Sequence, residues 1–237
     1  MNKRKSPTVT SHVARLLRKV LPIGTLRRHA TRRTIQEFAE ALGLVYFGYV
    51  DQHADEHELV RGFTLSTNHK DNHYCVGSAY NYDVILVERT DTLRSPKGHA
   101  HEYSWVILQI DLHARDFPHA FMTAGRHPEV FYSTFFMKYA RFQKLPASIW
   151  QGSDDLFAQS FTVFATPESA EQLVRLFSPD VTASIGRYFE GIEFELTADK
   201  LYLYISNQNV TPALLERLYK NGLWLAGQLD SSSVVNK

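Results

Sequence analysis

Histidine is the most chemically versatile residue in this chain, and nine of its eleven copies fall between His53 and His127. His99-x-His101 places two imidazoles on one side of an extended strand, because strand side chains alternate with a period of two. With His113 and the only cysteine, Cys75, they form a candidate metal-ligand set, since zinc takes three or four converging nitrogen or sulfur ligands. His69 and His73 lie near Cys75 in sequence. His53 and His57 are spaced i, i+4 in H-A-D-E-H, but Glu56 does not stand where a metalloprotease needs its base. There is no H-E-x-x-H and no paired C-x-x-C. Without such a signature the histidines read first as scattered surface side chains in loops. No cofactor is expected.

Trp105–His113 reads W-V-I-L-Q-I-D-L-H. Val106, Leu108, Ile110 and Leu112 face one way, and Trp105, Ile107, Gln109, Asp111 and His113 the other, which is the pattern of a strand with one fully apolar face. Asp111 and His113, two apart on one face, could form a hydrogen-bonded general base. No G-x-S-x-G or other nucleophile motif accompanies them, and the alternative is a solvent-facing strand end. Cys75 within a strand reads as a buried packer rather than a nucleophile. There is no G-x-G-x-x-G after a strand and no G-x-x-x-x-G-K-S/T, which removes the usual phosphate-binding folds.

The strongest functional signal is charge. The net charge is +1, yet residues 1–33 carry ten Lys/Arg and no Asp or Glu, leaving −9 on the rest. Ser11 can cap a helix in which Val13, Leu16, Leu17, Val20 and Leu21 form one apolar stripe, interrupted on its other side by Arg15, Arg18 and Lys19. Pro22 and Gly24 end it. A second helix is expected from Thr25 to Leu42, with Ile35, Phe38, Ala39 and Leu42 inward. Arg27, Arg28, Arg32 and Arg33 crowd its first half, the wrong end for the helix dipole, and a bound anion would relieve that cost. A basic amphipathic segment fits the plane of an anionic bilayer or the phosphates of a nucleic acid. It also fits an ordinary surface helix packed on its own domain. No Phe or Trp lies in it to anchor in lipid or stack on bases.

Composition bounds the rest. With 44% hydrophobic and 22% charged residues the chain is globular. One cysteine permits no intrachain disulfide, which suits a reducing compartment. No apolar run reaches the ~18 residues of a spanning helix, and no uninterrupted secretory core is present. The expected location is the cytoplasm, with at most peripheral contact at the inner face of the membrane.

The periodicities predict an α+β fold: a basic helical arm over 1–24, then a single domain over 25–230. Its sheet-rich half (25–150) is an antiparallel body, and its smaller half (151–230) runs β-α-α-β-β-α. Strands are expected at Leu44–Val50, Phe63–Ser66, Tyr74–Ala79, Asp83–Arg89, Trp105–His113 and His119–Thr123, with a loop over Thr90–Glu102. A helix is favoured over Glu129–Phe142, since Val130, Phe131, Phe135 and Tyr139 share helical spacing. Phe161–Phe164 reads as a strand. Thr166-Pro167 and Ser178-Pro179 open two helices, the first with a stripe of Ala170, Leu173, Val174 and Phe177. Ile192–Leu196 and Leu201–Ile205 form a hairpin around Ala198–Asp199. Thr211-Pro212 opens the last helix, with Leu214, Leu215, Leu218, Leu225 and Leu229 on one face.

The second half also carries a recognisable layout. D-D-L-F-A-Q-S-F-T-V-F from Asp154 to Phe164 leads to L-F-S-P at Leu176–Pro179 and to the hairpin I-E-F-E-L…L-Y-L-Y-I. Earlier come D-N-H-Y-C-V-G-S-A from Asp71 and E-R at Glu88–Arg89. Over about residues 60–206 this resembles a bacterial family of unknown function, in which an F-x-x-x-F-x-V stretch (here Phe157, Phe161 and Val163) precedes a helix, a turn and a hairpin. The resemblance implies no activity, cofactor or catalytic residue. Members of that family often carry N-terminal membrane-spanning helices, where this chain has its basic amphipathic segment.

The expected function is therefore a non-enzymatic binding or scaffold protein. It would be held at an anionic membrane by Arg15, Arg18, Lys19, Arg27, Arg28, Arg32 and Arg33, with Leu16, Leu17 and Val20 as the apolar face. A nucleic-acid-associated protein using the same cations is the first alternative. A metal-dependent hydrolase using His99, His101, His113 and Cys75 is the second.

Overall fold

The structure, a computed structural model, describes residues 23–50, 69–94, 98, 100–125, 127–150, 155–206 and 208–234. Among these residues the chain forms one antiparallel sheet of nine strands, ordered β1-β2-β3-β4-β9-β8-β5-β7-β6. The strands are β1 (Val45–Tyr49), β2 (His69–Ala79), β3 (Tyr82–Arg94), β4 (Ala100–Asp111), β5 (Phe117–Thr123), β6 (Gln143–Lys144), β7 (Thr162–Ala165), β8 (Glu193–Ala198) and β9 (Lys200–Ser206). The helices are α1 (Ile23–Ala41), α2 (Glu129–Lys138), α3 (Asp155–Ser160), α4 (Ala170–Leu176), α5 (Pro179–Tyr188) and α6 (Pro212–Val234). Short 3-10 turns occupy Ala147–Trp150 and Pro167–Ser169.

The Trp105–His113 alternation is realised in β4. Val106, Leu108, Ile110 and Leu112 enter one apolar core, and Trp105 and Ile107 enter a second on the opposite face. The first core is closed by α1 and α3–α6, whose Ile35, Phe157, Leu173, Ile185 and Leu225 meet the strands. Gly222 lets α6 lie directly on the sheet, where a Cβ would come within 2.9 Å of Ile110 and 3.0 Å of Leu203. The second core is roofed by α2, through Phe131 and Phe135.

Turn chemistry sets the hairpins. Tyr80 and Asn81 both adopt positive φ between β2 and β3, as the twist of a two-residue hairpin demands. Ala198 does the same between β8 and β9. The C-terminal hairpin does not form a separate layer. β9 pairs with β4 through Trp105↔Ser206 to Asp111↔Lys200, while β8 pairs with β5. Both halves of the chain thus contribute to one sheet.

Several expectations are corrected. The loop expected over Thr90–Glu102 is mostly strand, because β3 runs to Arg94 and β4 starts at Ala100. Buried Asp91 and Leu93 alternate there with more exposed neighbours, a pattern that the Thr and Asp content obscured. Asp155–Ser160 is helical; its single turn is too short for a periodic signal. Pro118 lies inside β5, tolerated by a register shift between Phe117 and Ala120. On α4 the buried residues are Leu173 and Leu176, while Val174 is 36% exposed. The expected helix before Pro22 and strand at Phe63–Ser66 lie outside the described residues.

Candidate functional site

The predicted site residues that fall among the described residues do not assemble in one place. Arg15, Leu16, Leu17, Arg18, Lys19, Val20 and His99 lie outside the described residues. Arg27, Arg28, Arg32 and Arg33 fall within α1. Arg33 bonds Glu37 Oε1 at 2.7 Å along the exposed helix face, so part of the cationic excess is offset locally. His101 pairs with Leu93 in the β3–β4 ladder. Cys75 is buried in the first core, its Sγ donating to the His73 carbonyl at 3.3 Å, and burial pushes its thiol up to about 12. His113 stands past the end of β4, stacked on Tyr82 and 3.3 Å from Asp230. Asp111 instead accepts from Gln109 (2.7 Å) and from Lys200 (3.0 Å). The general base envisaged from Asp111 and His113 is not formed, because each residue has a different partner. Among the described residues no three His, Cys, Asp or Glu side chains are grouped as a metal ion requires.

Beside α1 a smaller cluster joins β1, β2 and β3. Tyr46 Oη lies 2.8 Å from His73 Nδ1, and His73 Nε2 lies 3.4 Å from Glu88. His73 adopts φ 55°, where β2 shifts register against β3. Bulges of this kind re-aim a side chain. Here the ring is turned toward Tyr46, and the two rings stack at 6.1 Å. Burial, followed by the positive charge of Arg32, holds the His73 imidazole below its ordinary pKa.

The chemistry-bearing groups that do converge lie on the second face of the sheet, beneath and beside α2. Asp71 and Arg89, opposite each other on β2 and β3, form a bidentate pair with two contacts of 2.6 Å and almost no exposure. Next along β3, Asp91 accepts the Trp105 indole N–H at 3.0 Å. On β8, Glu193 Oε1 accepts from Thr123 at 2.8 Å and lies 2.7 Å from His127 Nε2, whose other ring nitrogen meets the Tyr103 hydroxyl. Facing a carboxylate, Nε2 is the donor of that bond. Glu195, two residues on, meets His119 Nε2 at 2.5 Å and the Tyr204 hydroxyl at 2.5 Å.

These two glutamates hold α2 at both ends. The His127 ring stacks on Phe131 at 3.9 Å. The His119 ring packs edge-on against Tyr139 and Phe142, just after the helix. Lys138 is held below its usual pKa by burial, with Glu195 and Asp91 opposing that shift. Burial, and then the Glu195 charge, raises the Tyr139 phenol. The hydrogen bonds of His119 and His127 tie β8 to the segments on either side of α2, while the second carboxylate oxygen of Glu193 is buried without a partner among the described residues. The two imidazoles are engaged by glutamates, and that of His127 also by a phenol.

The alternation Glu193-Phe194-Glu195-Leu196 carried the signal for this face. Phe194 and Leu196 belong to the first core, so both glutamates had to point the other way. The segments from Asp71 and at Glu88–Arg89, quoted above for their resemblance, meet in the Asp71–Arg89 pair.

No family model and no curated protein sequence matches the chain. Among solved structures, that of the mycobacterial trehalose monomycolate transport factor A, TtfA, is similar in fold. It matches with a TM-score of 0.53 over 85% of this chain and 93% of that one, at 8% sequence identity. No described helix is long and apolar enough to cross a membrane. The chain is an α+β protein with one large antiparallel sheet, a fold it shares with that transport factor.

Proposed function

We propose that this protein is a non-enzymatic binding or scaffold protein, attached peripherally to an anionic membrane by its basic N-terminal arm. The observation that carries the reading is the concentration of ten cations and no carboxylate in residues 1–33, beside the stripe of Leu16, Leu17, Val20 and Leu21. Charged and apolar terms add at a bilayer surface, with about 1 kcal/mol for each Lys or Arg near anionic lipid. The body supports a binding role because its buried carboxylates are occupied by its own arginine, histidine, tyrosine and tryptophan side chains. The fold likeness to a protein named as a transport factor agrees with a body that binds rather than reacts.

Co-sedimentation with phosphatidylcholine vesicles, with and without phosphatidylglycerol, tests the proposal. Replacing Arg15, Arg18 and Lys19 with Glu should lower partitioning onto the anionic vesicles by more than about a hundredfold at low salt. Equal partitioning of the two proteins, or steeply salt-dependent binding to DNA or RNA without any lipid preference, overturns it.

A further inference from the structure

Glu193, at the start of β8, has a side chain only 5% exposed. The two donors that reach it arrive at the same oxygen. Thr123 Oγ1 (2.8 Å) and His127 Nε2 (2.7 Å) both meet Oε1. Among the described residues Oε2 is buried with no hydrogen-bond partner. Protonating the carboxyl does not mend this, since the new O–H would need an acceptor in the same place. A buried charged group left without a partner costs more than a neutral one. The Thr123 hydroxyl has a single hydrogen to give, yet the Gly125 carbonyl also lies within its reach at 3.2 Å. Acceptor oxygens therefore outnumber donor hydrogens around this carboxylate.

The same group can be approached from solvent. Gly125 is exposed, and beyond its chain neighbours a Cβ built on it would meet nothing within 4 Å except Glu193 Oε1, at 3.7 Å. We propose that Glu193, the Thr123 hydroxyl and the Gly125 carbonyl form a binding site for a small alkali cation, which enters beside Gly125 and neutralises Oε2. Hard cations take carboxylate, carbonyl and water oxygens, and the number of charged ligands sets how strongly a divalent ion is held. Here that number is one. Glu195, two residues on, is already engaged by His119 and Tyr204, and among the described residues no three His, Cys, Asp or Glu side chains are grouped. A monovalent ion matches a single carboxylate surrounded by neutral oxygens. Its place is structural, joining β8 to the end of β5 and to the segment that leads into α2, and it is independent of any membrane contact by the arm.

The test is thermal unfolding of the full chain in the chlorides of sodium, potassium and N-methyl-D-glucamine at equal ionic strength. Sodium or potassium at about 0.1 M should raise the midpoint by about 3 °C over N-methyl-D-glucamine, a cation too large for the site. That difference between salts should vanish in Glu193→Gln. It should shrink in Gly125→Ala, whose methyl group stands at the entrance in ordinary van der Waals contact with the carboxylate. Comparing salts within each protein keeps a change in basal stability out of the result. If Glu193→Gln does not fold, Gly125→Ala carries the test alone, and an undiminished difference there overturns the proposal. Equal midpoints for the wild type in all three salts mean that Oε2 is met by water or by a cation of the chain itself, and overturn it too. A sodium or potassium effect that persists in folded Glu193→Gln belongs to surface charge and does the same.

Discussion

Asp71 and Arg89 are both withdrawn from solvent, so each is tolerated only through the other. Asp71→Asn should cost about 3–5 kcal/mol in urea unfolding because it strands the guanidinium. Asp71→Leu combined with Arg89→Met should cost markedly less than the sum of the single changes, and additivity within ~0.5 kcal/mol would show that the pair is not coupled. Two imidazoles, one beside α1 and one beside the Asp71–Arg89 pair, give a pH prediction. His73 is held below its ordinary value by burial and Arg32, and His69 by burial and Arg89, against the pull of Asp71 and Asp91. In both, the unfolded chain takes up protons first as pH falls through the ordinary histidine value of 6.5. Stability should therefore be complete above that pH and decline below it, toward the lower folded pKa values. The urea midpoint should drop from pH 7 to pH 5, and less so in His73→Asn, a residue that tolerates the positive φ. An identical slope in that variant would remove His73 from the account. None of these pairs was legible in the sequence, because polar residues alternating with apolar ones ordinarily mark a wet strand face. Here α2 and a layer of aromatic rings keep that face dry.

Elements were far more legible than partners. The hairpins follow from local turn chemistry, and the starts at Thr166-Pro167 and Ser178-Pro179 from proline in the first turn, with no side-chain cap bond at either. Thr211, by contrast, accepts the Leu214 N–H at 3.2 Å, as its place before Pro212 implies. Lateral strand order depends on contacts a hundred residues apart, and nothing local announces that β9 joins β4. The same blindness hides close helix packing. At Gly186 on α5, a Cβ would stand 2.8 Å from the Phe157 backbone nitrogen of α3, whereas at Gly227 on α6 it would meet nothing within 4 Å. Gly186→Ala should cost about 1–3 kcal/mol through overpacking. Gly227→Ala should stabilise by about 0.4–1 kcal/mol by restricting the unfolded chain. Thermal melts of the two variants shifting in the same direction would show that the packing difference does not govern them.

Across the whole molecule, charge and topology divide the chain differently. Charge separates a leading segment of +10 from a remainder of −9, a polarity visible in composition alone and the basis of the membrane proposal. The sheet ignores that boundary and also the midpoint of the chain. β4 and β5 are consecutive in sequence yet sit apart, with β9 and β8 filling the space between them. During synthesis, about ninety residues must follow β4 before the ribosome releases its lateral neighbour. Until then the nascent chain holds two unfinished sheet fragments with apolar margins open to chance pairing. A folding intermediate sheltered by chaperones, and a product that collapses when shortened ahead of Leu201, are the cellular corollaries of placing the latest hairpin at the heart of the sheet.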